Sequence, residues 1–263
     1  MKKFSTIALA ALMVTALTFP TSAANSFEAA TGTPTIDGKM DDAYKAAPEI
    51  AINIKTSGDG KTSGTARVLW DSNNIYVFFD ITDPVFSTEE SANYYESDSV
   101  EFFLNLTDKK DDVTKINAGQ YTAEGPIEGA KFGWQGRGMH WDANKDKATY
   151  KSVKTDKGYA VEMQIPFGAD YTPKAGAQIG VAFHINSDED GKSGREGEYF
   201  AGQDQTQAWS KTDSYDTLTL TDKKYEAPKK DDKAAATADM GIVAGLAALA
   251  SSGAAFISLK KRK

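Results

Sequence analysis

The chain has 263 residues, 40 % of them apolar and 25 % charged, a globular composition that excludes wholesale disorder. Its formal charge of −7 lacks the basic footprint of a nucleic-acid binder. With no cysteine and two histidines, His140 and His184, it builds neither a disulfide scaffold nor a thiolate metal centre and has little material for an imidazole zinc site.

The first element in chain order is an export signal. Lys2 and Lys3 precede an uncharged run from Phe4 to Phe19, Pro20 ends it, and Thr21, Ser22, Ala23 and Ala24 supply small residues for cleavage. That layout predicts removal of residues 1–24. A domain follows from Phe27 to Lys224, in which apolar residues recur with period two. Asp41 and Asp42, after Met40, favour a helix start, and the turn or two there is the one helix expected in the domain. Val68 and Trp70 share a face, Asp71–Asn74 makes a turn, and Ile75, Val77, Phe79 and Ile81 line the return strand. Val100, Phe102 and Leu104 line a further strand, with Ser99, Glu101 and Phe103 opposite. Tyr159, Val161, Met163 and Ile165 repeat the pattern before Pro166. Val181, Phe183 and Ile185 repeat it again, leaving Ala182, His184 and Asn186 on the other face, and Leu218 and Leu220 close the domain. Strands at this density without a long helical period predict an all-β fold, an antiparallel β-sandwich of jelly-roll or immunoglobulin-like type.

Beyond the domain, residues 225–239 are charged and alanine-rich with no apolar periodicity, and read as a solvated tether. Met240–Leu259 is uncharged for 20 residues and ends in Lys260-Lys261-Arg262-Lys263. As a helix it would be about 30 Å long, matching a bilayer core, with the basic tail in the cytoplasm and the domain outside. The arrangement resembles the sorting tails of Gram-positive surface proteins, but LPxTG is missing, so plain single-pass membrane anchoring is expected.

Two patterns inside the domain bear on chemistry. Asn186, Asp188, Asp190 and Gly191 fit the first half of an EF-hand calcium loop and Glu196 and Glu198 follow, while the glutamate expected at position twelve is replaced by Gly197. A solvated hairpin tip accounts for the same residues. No G-x-S-x-G, zinc spacing or phosphate loop is present, and acidic residues are too numerous for any pair to single itself out as catalytic.

Several blocks in order resemble the carbohydrate-binding modules of family 9. They are Thr33-Pro34-Thr35-Ile36-Asp37-Gly38-Lys39-Met40-Asp41-Asp42, Arg67-Val68-Leu69-Trp70-Asp71 with Ile75-Tyr76-Val77, and Tyr95-Glu96-Ser97-Asp98-Ser99-Val100-Glu101-Phe102-Phe103. Gly158–Glu162, Ile179–Phe183 and Trp209 complete the series. The resemblance implies a non-catalytic sugar-binding β-sandwich, often carrying calcium and serving extracellular polysaccharide hydrolases. It implies that Tyr95 and Trp209 clamp the end of a glucan or xylan chain, facing each other across a cleft at one edge of the sandwich. Glu101 and His184 would read hydroxyls. Thr122 stands where the family has a long basic contact, and Thr206 where it has an amide. Trp134, His140 and Trp141, in the glycine-rich stretch from Gly133 to Asp142, are candidates for a wall of the site. Taken alone, Tyr95 could cover the core edge, Trp209 could be a core side chain, and Glu101 and His184 could lie on a solvated face. A haem or redox module and an adhesin for protein partners remain as alternatives, although Met163 and His184 fall on opposite faces and do not converge on a haem.

Overall fold

The alternation at Ile75, Val77, Phe79 and Ile81 becomes strand β4 (Asn74–Thr82), which pairs in antiparallel register with β3 (Ser63–Trp70) through the tight turn at Asp71. In the computed structural model, which describes residues 25–87, 93–125, 133–192 and 194–228, twelve strands form the domain. The others are β1 (Ser26–Thr31), β2 (Ile50–Ser57), β5 (Ser99–Asn105), β6 (Ala118–Glu124), β7 (Trp134–Arg137), β8 (Thr149–Thr155), β9 (Gly158–Pro166), β10 (Gln178–Ser187), β11 (Gly197–Ala201) and β12 (Asp216–Leu220). The expected signal peptide, nearly all of the tether, the membrane helix and the basic tail lie outside the described residues.

Hydrogen bonding follows the order β7-β6-β5-β10-β11-β2-β3-β4-β9-β8, and every neighbouring pair on this path is antiparallel. The antiparallel expectation holds along this path, and one strand off it departs. β1 runs parallel both to β12 and to β3. The path folds over on itself, so that Phe79 of β4 meets Phe183 of β10 with ring centroids 6.2 Å apart. Phe27 of β1 and Phe102 of β5 pack on the same Phe183 ring at 5.9 and 5.4 Å. The inward columns read from the sequence (Val100, Phe102, Leu104; Val161, Met163, Ile165; Val181, Phe183, Ile185) are all buried in this one cluster.

The helix expected after Met40 is a short 3₁₀ turn, Asp42–Ala46, whose start is capped by Asp41 accepting from the Ala43 amide at 3.0 Å. The Asp37-Gly38 turn before it is held by Glu162 of β9, which accepts both turn amides at 3.0 Å and the Tyr44 hydroxyl at 3.1 Å. Gly38 has φ +79°, and a Cβ there would sit 2.8 Å from Val153 Cγ1, so glycine is required on both counts. A helix was not expected at Met139–Asn144, but α1 forms there, with His140 and Trp141 buried. β7 and β8 were also not anticipated, because their sequences, WQGR and TYKSVKT, bury few side chains and are recruited by pairing with β6 and β9.

Phe183 is the ring on which three strands converge. Phe183→Ala should lower unfolding stability by about 3–5 kcal/mol, read as a fall in the urea midpoint at unchanged slope.

Candidate functional site

Period two puts Glu101 and His184 on the face opposite the apolar columns, and strand register then aligns them. His184 of β10 lies opposite Glu101 of β5, Glu101 opposite Thr122 of β6, and Thr122 opposite Gln135 of β7. One polar row thus crosses four strands on the outer face of this sheet. The next row includes Gln120 opposite Arg137. These residues floor a cleft of about 680 Å³, whose lining also includes Tyr95, Gly136, Arg195, Glu198, Thr206 and Trp209. All six sugar-site residues inferred from the sequence, Tyr95, Glu101, Thr122, His184, Thr206 and Trp209, line this one cleft. Its floor lies on the outer face of the sheet and runs from β10 across β5 and β6 to β7, the strand that ends this path.

The two aromatic rings are held from loops. Tyr95 lies in a 3₁₀ turn, Tyr94–Glu96, immediately before β5. It is 38 % exposed, so it does not cover the core. Trp209 is 45 % exposed and follows the buried Ala208, whose carbonyl accepts the Tyr215 hydroxyl at 3.0 Å. Buried Gln205 fixes the same loop by donating to the Ser214 carbonyl and to Asp216. Each ring carries a guanidinium over its face, Arg195 on Tyr95 at 5.7 Å and Arg137 on Trp209 at 5.2 Å.

Glu101 and His184 are not solvated; both are nearly fully buried. Glu101 accepts from Gln120 at 3.1 Å and from the Thr122 hydroxyl at 3.2 Å, and its other oxygen is 3.4 Å from His184 Nδ1. Burial alone would raise Glu101, but the hydrogen bond with His184, the charges of His184 and Arg195, and the Thr122 hydroxyl hold it below the ordinary carboxylate range. Burial pushes the His184 imidazole down, against the opposing pull of Glu101 and Glu198. The rings of Phe103 and Phe200 enclose that imidazole at 4.5 and 4.1 Å.

The glycine-rich stretch does supply a wall, but through Gln135, Gly136 and Arg137. Trp134 instead stacks on Tyr150 at 4.7 Å, Trp141 enters the core, and His140 bonds to the Tyr121 hydroxyl at 2.8 Å. Gly136 is obligatory there, since a Cβ would lie 2.1 Å from the Trp141 ring. Gln120, Gln135, Arg137 and Arg195 are not singled out by the sequence, and Glu198 is noted there only as part of the acidic loop. Gln120 was legible in principle, two positions from Thr122 on one strand face. The arginines enter from a short strand and a loop that apolar periodicity does not register.

In the acidic loop, the carbonyl oxygen of Asn186 accepts from Arg195 at 2.9 Å and its amide donates to Ser99 at 3.0 Å. Asp188, Asp190 and Glu196 each offer an oxygen, and these lie within 4.8 Å of one another. Asp188 is fully buried, with one oxygen accepting three loop amides and the other, Oδ2, unpartnered. Behind it, buried Asp98 accepts the Asp188 amide at 2.8 Å and the Ser87 amide, while Asp83 Oδ2 is buried and unpartnered as well. Burial, then the charge of Asp83, pushes the Asp98 carboxyl up. An all-oxygen donor set with orphaned buried acceptors suits a hard cation such as calcium.

A sandwich that offers two exposed rings over a hydrogen-bonded polar floor has the build of a module that holds a ligand. Residues 36–223 match the family described as "Carbohydrate family 9 binding domain-like", and the chain belongs to that family. It is 33 % identical over 200 residues to an endo-1,4-beta-xylanase A of Thermoanaerobacterium saccharolyticum, covering 76 % of this chain and 16 % of that enzyme. It is 30 % identical over 194 residues to an endo-1,4-beta-xylanase C of Paenibacillus barcinonensis, covering 73 % of this chain and 17 % of that enzyme. The matches thus span about a sixth of the length of these relatives. A family 9 module of Caldicellulosiruptor kristjanssonii solved with cellotriose superposes with TM-score 0.65 at 21 % identity, over 76 % of this chain and 95 % of that one. The same organism's module solved with glucose gives TM-score 0.64 at 20 % identity, over 78 % of this chain and all of that one. At this identity the structural likeness establishes the all-β fold.

The buried His184 supplies a pH dependence. Its folded imidazole titrates below the ordinary value near 6.5, so the unfolded chain takes up a proton first as pH falls. Depressed Glu101 acts in the same direction at lower pH. Buried His140, pushed down to about 4, acts in the same direction, while Asp83 and Asp98, pushed up to about 6 and about 8, oppose it, so the share of His184 is read by difference: in urea titrations at pH 7 and pH 5, His184→Gln should lose less stability on acidification than the parent does.

Proposed function

We propose that the chain is a non-catalytic module that holds an extracellular oligosaccharide or polysaccharide, of the glucan or xylan type, in the cleft between Tyr95 and Trp209. The observation that carries the reading is that two exposed rings line the same cleft as the ordered Glu101–His184 floor. A pyranose has C–H faces that pack on aromatic rings and a belt of hydroxyls that needs donors and acceptors. The cleft offers rings at its sides, amides at Gln120 and Gln135, hydroxyls at Thr122 and Thr206, and a carboxylate at Glu101. The relatives' names and the sugars in the two solved modules support the ligand class. Trp209→Ala should weaken binding of the best of cellobiose and xylobiose roughly thirtyfold, about 2 kcal/mol, by titration calorimetry. Equal affinity in parent and variant would remove Trp209 from the site.

Calcium is the second part of the proposal. Asp188, Asp190 and Glu196 would hold it, and bound there it would offset the charge of carboxylates taken out of water. Bound to the folded chain at a hundredfold excess over its dissociation constant, it adds about 2.7 kcal/mol. Millimolar calcium should therefore raise the melting temperature above that in chelator, and Asp188→Asn should abolish the difference. A melting temperature indifferent to calcium in the parent would argue against the site.

The third part is location. The signal-like start and the uncharged 20-residue run before Lys260 support export and single-pass retention, with the domain outside the cell where extracellular glycoside hydrolases act. Deleting residues 240–263 should move the protein from the membrane fraction to the medium.

A further inference from the structure

The charges in the cleft are unequally committed. Arg195 is tied to Glu198 at 2.8 Å and to Asn186 at 2.9 Å, so its charge is answered inside the protein. Glu101 is buried and engaged by Gln120, Thr122 and His184. Arg137 differs. It is exposed, lies over the Trp209 ring, and among the described residues its guanidinium makes neither an ion pair nor a hydrogen bond. Asp112 feels its charge without pairing with it. The protein is acidic overall, so a cation held unpaired at the mouth of its cleft stands against the general charge.

A guanidinium that lies over an indole and makes neither an ion pair nor a hydrogen bond keeps its N–H groups uncommitted, and two of them side by side fit a carboxylate. Register sets Arg137 opposite Gln120, beside the polar row that contains Glu101 and Thr122. A sugar lodged against Trp209 therefore has the uncommitted N–H groups of Arg137 next to its substituents.

We infer that the cleft selects an acidic glycan, one whose clamped sugar or its neighbour carries a carboxylate that pairs with Arg137. This rests on the carbohydrate-binding reading and names the substrate class for it. Neutral chains use the rings and floor alone, and uronate-bearing chains add a charge-assisted pair.

The test is calorimetric titration of the full chain with a neutral xylo-oligosaccharide, the same oligosaccharide carrying one glucuronic acid, and the methyl ester of that acid. The acid should bind roughly tenfold tighter than the neutral sugar at low salt, a margin that shrinks as salt rises and disappears in the ester. Arg137→Gln should reduce the acid-to-neutral ratio to about one, and Arg137→Lys should keep part of it. A ratio near one in the parent, with neutral binding intact, overturns the inference and leaves the sugar-binding reading standing. A ratio that survives Arg137→Gln overturns the assignment to Arg137. Failure of the parent to bind any of the three sugars overturns the inference, and failure to bind cellobiose as well overturns the sugar-binding reading.

Discussion

A carboxylate buried on the face of a β-sheet must be answered by its neighbours, and Glu101 is answered by three residues from the two strands beside it. Gln120 and Thr122 of β6 donate to one oxygen, and His184 of β10 faces the other. The desolvation of an unpaired carboxylate would cost several kcal/mol, so the pairing of β5 with both neighbours is constrained by polar chemistry as well as by the core. A slip of one residue would turn Glu101 into the Phe102–Phe183 contact and Phe102 into the cleft. The register that buries three aromatic rings on one side therefore also assembles the floor of the site on the other.

The walls follow a different logic. Tyr95 and Trp209 belong to loops, and exposed aromatic side chains on loops need anchors if they are to keep a fixed position. Here the anchors are close at hand: the 3₁₀ turn against β5 for Tyr95, and buried Ala208, Gln205 and Tyr215 for Trp209. The guanidinium over each ring adds a second constraint. It joins β7 to the Trp209 loop and the acidic hairpin to the Tyr95 turn.

The acidic hairpin shows the same dependence on tertiary context. Its EF-hand-like spacing nominated Asn186, Asp188 and Asp190, but a β-hairpin is not a helix–loop–helix, and the strand pairing of Asn186 with Glu198 fixes Asn186 in the sheet. Past the turn, Glu196 comes back to meet Asp188 and Asp190, a proximity set by the hairpin closing and not by position twelve of a loop.

The sequence by itself determined what depends on local periodicity and composition. Strict alternation gave the inward columns of β3, β4, β5, β9, β10 and β12, because a pleated strand with one buried face has no other way to distribute its side chains. Ordered motif blocks named the family and six cleft residues. Tertiary structure decided the rest. β7, β8 and α1 carry little periodicity and form because neighbouring elements satisfy their backbone groups. The parallel placement of β1 between β12 and β3, the row from His184 to Gln135, and the position of Arg137 over the Trp209 ring all join residues far apart in the chain. One sequence read alone contains no term for such pairings, since they arise when the folded sheet sets strand order and register.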